Sequence, residues 1–198
     1  MKRLILASAS EIRAALLRNA GVEFDQIPAR IDEEMIRCGL VAEKASPRDI
    51  ADVLAEQKAR QVSLRVGTGL VLGSDQILDF EGEILAKSTN MADARQRLMM
   101  LRGRSHVLHS AAVLYDDGTP VWRHVSRATL KMRAFSDGFV DDYLDQAGDV
   151  VTQTVGGYAV ESLGIRLFEK IEGDYFGILG LPLLELLNFL SGRGDLQK

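Results

Sequence analysis

The first twenty residues most strongly constrain the fold, because they combine a short apolar run with a helical pattern. The run Leu4–Ala7 is followed by Ser8-Ala9-Ser10 and then by apolar residues at helical spacing up to Ala20. This order predicts a buried strand, a tight turn and a helix that is capped by a serine hydroxyl. The N–H groups and dipole at the start of a helix also favour anions. The pattern therefore predicts either an ordinary capped helix, which it favours when taken alone, or an anion site.

Length and composition predict a single α/β domain over residues 1–198. The chain has 46% hydrophobic and 26% charged residues, which is ordinary for a globular protein. Its formal net charge of −4 argues against binding to nucleic-acid polymers, since such proteins usually have a basic balance.

Cys38 is the single cysteine, so the sequence offers no internal disulfide. No stretch approaches the roughly 18 continuous apolar residues of a membrane span. We therefore expect a cytoplasmic protein that does not bind a membrane.

Helix signals recur along the chain. Ser46-Pro47 and Asn90 each predict a helix start, and a final helix is expected from Leu181-Pro182, ended by Gly192. Asp32-Glu33-Glu34 carries no helix prediction and is interpreted as an acidic loop.

Strand signals occur between these helices. Gly69–Leu72 predicts a buried strand with polar residues at its carboxyl end, where open α/β sheets bind ligands. Residues 104–115 and 120–133 alternate in polarity on either side of a turn sequence, which predicts a β-hairpin. Another strand is expected over Arg166–Ile171. Helix-connected strands and hairpin strands together predict an α/β fold with a mixed sheet flanked by helices, and two lobes around a cleft.

Polar residues suited to phosphate chemistry stand at the ends or edges of these elements. They are Ser8, Ser10, Arg13, Glu33, Lys58, Asp75 and Lys87. Phosphoanhydride hydrolysis uses this mixture, since cations and helix N–H groups hold phosphates, and carboxylates hold a divalent metal or polarise water. Each residue also has an ordinary structural interpretation, and spacing alone does not bring them together. For His106, His109 and His124, structural roles are favoured over a metal site.

A set of motifs spans nearly the whole chain. In order they are LILASAS-x-x-R, Asp32-Glu33, AEQKA at Ala55–Ala59, GSDQ at Gly73–Gln76, Lys87, and EGDYFGILGLPL at Glu172–Leu183. Together they resemble the Maf family, and the first and last motifs are specific in combination. The resemblance implies a fold related to that of the inosine triphosphatases. It also implies hydrolysis of nucleoside triphosphates between the α- and β-phosphates, with a divalent metal.

The resemblance also implies roles for individual residues. Asp75 is implied as the catalytic aspartate, and together with Glu33 as a ligand of Mg²⁺ or Mn²⁺. The residues implied to bind phosphates are Ser8, Ser10, Arg13, Lys58 and Lys87. A homodimer is possible by the same resemblance.

Three further residues bear on the choice of base. Gln76 and Glu161 resemble the 7-methyl-GTP branch of the family, since the pyrimidine-specific branch usually carries Thr and Gln at these positions. A carboxylate suits N7-methylguanine, which is cationic and presents N–H donors. Ile12 stands where that branch usually has Trp, which would supply a stacking face. The alternatives are a dTTP/UTP or broad house-cleaning pyrophosphatase, and a nucleotide-binding regulator of cell division without significant turnover.

Overall fold

The computed structural model describes residues 2–196, which form one mixed β-sheet flanked by helices. The strands are Leu4–Leu6 (β1), Phe24–Gln26 (β2), Leu70–Phe80 (β3), Glu83–Leu85 (β4), Ser105–Asp116 (β5), Thr119–Met132 (β6) and Phe168–Glu172 (β7). The helices are Glu11–Asn19 (α1), Glu33–Ala42 (α2), Pro47–Val66 (α3), Met91–Leu101 (α4), Asp137–Ala147 (α5), Val150–Gln153 (α6), Tyr175–Ile178 (α7) and Leu183–Arg193 (α8). A single 3₁₀ turn spans Leu163–Leu167.

The sheet joins parallel and antiparallel pairs. Its strand order is β2-β1-β3-β5-β6-β7, and β4 pairs with β3. Strand β1 runs parallel to β2 and β3, whereas β3, β5, β6 and β7 pair in antiparallel fashion. The predicted hairpin is confirmed as β5 and β6, and the mixed sheet flanked by helices is confirmed with it.

Strand β3 is longer than the sequence predicts. It continues through Ser74, Asp75 and Gln76 and pairs with β5 from Leu70 to Asp79. The expectation that the polar residues lie beyond the end of the strand is therefore wrong. The strand continues because side chains and carbonyls from other segments satisfy the buried polar groups, so Asp75 lies in mid-strand opposite Ala111.

Residues interpreted as an acidic loop instead begin helix α2. The Asp32 side chain accepts a hydrogen bond from the Met35 amide at 2.9 Å, and Glu33 and Glu34 occupy the first turn. Aspartate is a favoured cap, and first-turn carboxylates are stabilised by the helix dipole. The interpretation as a loop is therefore wrong.

Two boundaries near the C-terminus also differ from expectation. Helix α8 continues past Gly192 and ends at Arg193, followed by Gly194 as its C-cap in a left-handed conformation with φ of 81°. The strand expected from Arg166 begins only at Phe168, because the preceding residues form the 3₁₀ turn.

Apolar side chains pack on both faces of the sheet. Leu70 and Leu72 of β3 pack with α1 and α8 on one face, while Val71 packs with α3 on the other. A third cluster joins α4 and α5 to β5, β6 and β7. No helix within residues 2–196 has the length and apolar character needed to cross a membrane.

Candidate active site

A cleft of about 970 Å³ is bordered by the β1–α1 connection, α2, α3, the middle of β3, the end of β4 and the segment 150–162. All ten residues that the sequence analysis names for the site line this cleft. They are Ser8, Ser10, Ile12, Arg13, Glu33, Lys58, Asp75, Gln76, Lys87 and Glu161. Tertiary structure thus brings together residues that lie up to 153 positions apart, from Ser8 to Glu161.

Lys58 joins two carboxylates at the base of the cleft. Its Nζ lies 2.6 Å from Asp75 Oδ1 and 2.9 Å from Glu33 Oε2. Lys58 and Asp75 are buried, whereas the Glu33 side chain is 49% exposed. A buried ion pair of this kind gains Coulomb energy but loses hydration, so it is weak evidence for a contribution to stability. Its place in an open cleft indicates a chemical role.

Gly73 allows α3 to approach β3 closely enough for this contact. A Cβ atom at Gly73 would lie 2.1 Å from the Ala55 carbonyl oxygen and 2.6 Å from the Ala59 amide nitrogen. Both atoms belong to the backbone of α3, so they cannot move aside as a flexible side chain would. The absence of a side chain at Gly73 therefore sets the separation at which Lys58 meets Asp75, two residues farther along β3.

The electrostatic environment of Asp75 suits a proton acceptor. Burial raises the pKa of its carboxyl group above the ordinary value, while the positive charges of Lys58 and Arg13 oppose this shift. A carboxylate with a raised pKa is a stronger base than an exposed one. Perturbed groups of this type concentrate at functional sites.

The Arg13 guanidinium donates three hydrogen bonds within the protein, which the sequence does not indicate. Its Nε donates to the Gly180 carbonyl at 2.8 Å, and its Nη1 donates to the Ser74 carbonyl at 3.0 Å and to Ser8 Oγ at 3.1 Å. Burial lowers the pKa of the guanidinium, against the attraction of Asp75 and Glu33. Arg13 therefore holds the N-terminal loop, strand β3 and the segment after α7 in a fixed arrangement.

The start of α1 opens onto the cleft. Ser10 caps the helix, and its hydroxyl accepts a long hydrogen bond of 3.5 Å from the Arg13 amide. The Ser10 amide donates to Ser8 Oγ at 3.2 Å. Residues 9–12 line the cleft, so both the capped helix and the anion site remain compatible with this geometry.

A small recess of about 50 Å³ extends the cleft beside Ile12, Gln76 and Glu161. The Gln76 amide nitrogen donates to Ser110 Oγ at 2.8 Å and to the Ile178 carbonyl at 2.9 Å. These contacts fix the amide group and leave its oxygen as the atom able to accept from a ligand. Glu161 is exposed at the edge of the recess.

Arg37 also lines the cleft, although no pattern in the sequence indicates it. It lies one helical turn after Glu33 in α2, is mostly covered, and forms an ion pair with Glu34. The i, i+4 spacing of Glu33 and Arg37 would have placed both residues on one face, had the helix been recognised. Lys87 is exposed and lies after the end of β4.

Carboxylates outnumber cations among the described residues that line the cleft. The cationic side chains are Arg13, Arg37, Lys58 and Lys87. The carboxylates are Glu11, Glu33, Glu34, Asp75 and Glu161. A highly charged anion would therefore need an additional cation in the cleft.

A family model and two curated relatives match nearly the full length of this chain. A family model described as Maf-like protein matches residues 3–193. A nucleoside triphosphate pyrophosphatase of Roseobacter denitrificans is 53% identical over 98% of both chains. A 7-methyl-GTP pyrophosphatase of Brucella abortus is 48% identical over 93% of both chains. The solved structure of a nucleoside-triphosphatase, or dITP/XTP pyrophosphatase, from Mycobacterium abscessus aligns with a TM-score of 0.39 and 16% identity, covering 67% of this chain and 75% of that chain. The family match and the two relatives show that this chain belongs to the Maf family.

Proposed function

We propose that this protein is a nucleoside triphosphate pyrophosphatase. It hydrolyses the α–β phosphoanhydride bond and releases a nucleoside monophosphate and pyrophosphate. The observation that carries the proposal is the contact of Lys58 with both Asp75 and Glu33 in a cleft that the start of α1 also borders. The names of the Roseobacter and Brucella relatives support the same activity.

Asp75 is the proposed base. Lys58 holds its Oδ1, which leaves Oδ2 to orient a water molecule toward the α-phosphorus. As the water oxygen bonds to phosphorus, its proton passes to Asp75 and the bond to the β-phosphate oxygen breaks. The raised pKa of the buried carboxyl favours this proton transfer.

Several groups are proposed to hold the phosphates. The first amides of α1 and the Ser10 hydroxyl bind one phosphate group, as helix N-termini commonly do. Lys87, Arg37 and the buried Lys58 line the cleft and supply positive charge. Ser8 and Arg13 contribute mainly by fixing the loop, because their described contacts are with each other and with backbone groups.

The donor set fits a divalent cation that the substrate helps to hold. No group of three or more histidine, cysteine or acidic side chains within residues 2–196 is arranged to bind a metal ion. Mg²⁺ is commonly held by one or two carboxylates together with phosphate oxygens and water, and Asp75 and Glu33 form such a pair. These two residues would hold Mg²⁺ or Mn²⁺, which when bound supplies neutralising charge to the phosphates. The excess of carboxylates in the cleft supports this proposal.

The proposed preferred base is N7-methylguanine. Glu161 accepts hydrogen bonds from its N1–H and amino groups, and the Gln76 oxygen supplies a second acceptor nearby. The negative charge of Glu161 also complements the positive charge of the methylated ring. The name of the Brucella relative supports this preference.

Pyrophosphate release from a panel of nucleotides tests the proposal. The panel contains 7-methyl-GTP, GTP, dTTP and UTP, each assayed with Mg²⁺ and with Mn²⁺. The proposal predicts pyrophosphate from at least one nucleotide, with the highest kcat/KM on 7-methyl-GTP. A preference for dTTP or UTP would overturn the base assignment alone. Nucleotide binding without pyrophosphate release would overturn the enzymatic function and favour a regulator.

A further inference from the structure

Arg97 connects two backbone segments that border the cleft, although it is not itself among the described residues that line it. It lies in α4, and its Nη1 donates to the carbonyls of Ala86 and Val155, the latter at 2.9 Å. One guanidinium nitrogen thus ties together parts of the chain that are 69 residues apart.

The two connected segments carry different proposed roles. Ala86 immediately precedes Lys87, which is proposed to contact phosphate. Val155 lies in the segment 150–162, borders the small recess, and leads to Glu161, which is proposed to contact the base. The contact made by Arg97 therefore links the phosphate side of the cleft to the base side.

Helix α4 is anchored by packing, which keeps Arg97 in place for this contact. Ala94, Leu98 and Leu101 are buried in the cluster that packs α4 against α5 and the sheet. Burial lowers the pKa of Arg97, and the charge of Asp93 one turn earlier opposes the shift. A partly desolvated guanidinium that lost these carbonyl partners would be costly, so the contacts are expected to persist.

Other side chains hold the segment 150–162 without contacting Ala86. The Tyr143 hydroxyl donates to the Gly157 carbonyl at 3.0 Å, and His106 Nε2 lies 2.5 Å from the Tyr158 hydroxyl. These contacts fix the segment to α5 and β5. Arg97 differs from them because its two acceptors belong to two separate segments that border the cleft.

We propose that Arg97 is a positioning residue that sets the separation between the phosphate-binding and base-binding sides of the cleft. The inference rests on the proposed function. A ligand that occupies both sides needs the correct separation, whereas a ligand that occupies one side does not. Binding of whole and partial ligands therefore distinguishes positioning from a general contribution to folding.

The first experiment compares Arg97→Met with Arg95→Met in the same helix. Arg95 is a matched control, since its Nε forms an ion pair with Asp141 at 2.6 Å and it is not among the described residues that line the cleft. The ligands are pyrophosphate, 7-methyl-GMP, and the α,β-methylene analogue of 7-methyl-GTP. Arg97→Met is expected to weaken the whole analogue by about 10-fold or more, and each partial ligand by less than about 3-fold. Arg95→Met is expected to leave all three affinities unchanged.

Equal weakening of whole and partial ligands would overturn the proposal, and so would unchanged binding of the whole analogue. Arg97→Lys is the second variant, and it keeps the charge with fewer and less directed donors. It is expected to weaken the whole analogue less than Arg97→Met does. If Arg97→Met does not fold, Arg97→Lys must still show selective weakening of the whole analogue for the proposal to stand.

Hydrogen exchange provides a readout that does not depend on nucleotide binding. Arg97→Met should speed exchange in residues 84–89 and in 153–161 relative to Arg95→Met, because both segments lose the same anchor. Acceleration in only one segment, or in neither, would contradict the link. A wild-type protein that releases no pyrophosphate would overturn the proposed function, while the exchange result would still decide whether Arg97 holds the two segments.

Discussion

The Lys58 ammonium lies 2.6 Å from the Asp75 carboxylate and 2.9 Å from that of Glu33. Helix α3 supplies the cation, β3 supplies the buried acid, and the start of α2 supplies the exposed acid. Removing one partner of a buried pair leaves an uncompensated charge, which costs far more than the net contribution of the intact pair. The arrangement therefore fixes the orientation of Asp75, and this orientation is what the proposed chemistry needs.

Asp75→Asn should reduce kcat by at least about 10²-fold, because the amide cannot accept the proton from water. The amide keeps the shape of the side chain, and Lys58 keeps Glu33 as a charged partner, so a folded protein is expected. Asp79→Asn is the matched control in the same strand, since Asp79 Oδ1 accepts from the Gly82 amide at 2.8 Å at a turn. Steady-state pyrophosphate release measures both variants. Near-wild-type kcat in a folded Asp75→Asn protein would refute the role of Asp75.

Gly73→Ala should disturb the site by separating α3 from β3. The added methyl group would collide with the Ala55 carbonyl and the Ala59 amide. Overpacking of this kind typically costs about 1–3 kcal/mol of folding free energy, and it would also move Lys58 away from Asp75. The midpoint of urea unfolding and kcat should both fall. Gly39→Ala is the control, because the space around Gly39 in α2 is open, and it should raise helix stability by about 0.5–1 kcal/mol. Unchanged stability and activity in Gly73→Ala would show that the close approach does not matter.

Glu161→Gln should change the choice of base. Loss of a charge-assisted contact typically costs about 1.5–3 kcal/mol, or roughly 10- to 150-fold in kcat/KM. Activity on 7-methyl-GTP should fall by about that factor, and activity on UTP or dTTP should fall much less. The ratio of kcat/KM values for the two substrate types is the deciding measurement, and an unchanged ratio in Glu161→Gln would remove Glu161 from base selection.

Ile12→Trp should raise turnover of 7-methyl-GTP by adding a stacking face beside the recess.

The contribution of His106 to the free energy of unfolding should decline as the pH falls from about 7 toward 4, in the direction opposite to that of Asp75, whose buried carboxyl has a raised pKa. Burial lowers the pKa of His106 from 6.5 to about 4, so the unfolded state binds a proton in this range while the folded state does not. The contribution of His106 is fully present above pH 6.5 and is lost on acidification, by about 3 kcal/mol at most. Burial also lowers the pKa of His109, which adds in the same direction. The free energy of unfolding, measured by denaturant at several pH values, should therefore change less with pH in His106→Gln than in the wild type. Equal slopes would contradict this assignment.

Local patterns in the sequence predict much of the sheet and several helix starts. The hairpin of β5 and β6 follows from alternation on both sides of a turn, and the caps at Ser46 and Asn90 follow from local chemistry. Helix α2 is not indicated by its sequence because Gly39 interrupts it and none of its residues is buried, although Asp32 supplies a regular cap. The continuation of β3 through Asp75 was missed because its polar residues are satisfied only by distant partners.

The same distinction applies to the site. Motif resemblance named ten residues that line one cleft, but local spacing could not show that Arg13 donates to the carbonyls of Ser74 and Gly180. Arg37 and Arg97 depend on helix faces and backbone acceptors that only the folded chain defines. Their contributions therefore could not be obtained from residue type alone.

Hydrolysis in ¹⁸O-labelled water tests the central claim most directly. The reaction uses the nucleotide that the wild-type protein turns over fastest, and mass spectrometry locates the label in the products. Attack of water on the α-phosphorus predicts one ¹⁸O atom in the nucleoside monophosphate and unlabelled pyrophosphate. Label in pyrophosphate, or release of labelled orthophosphate, would contradict the account.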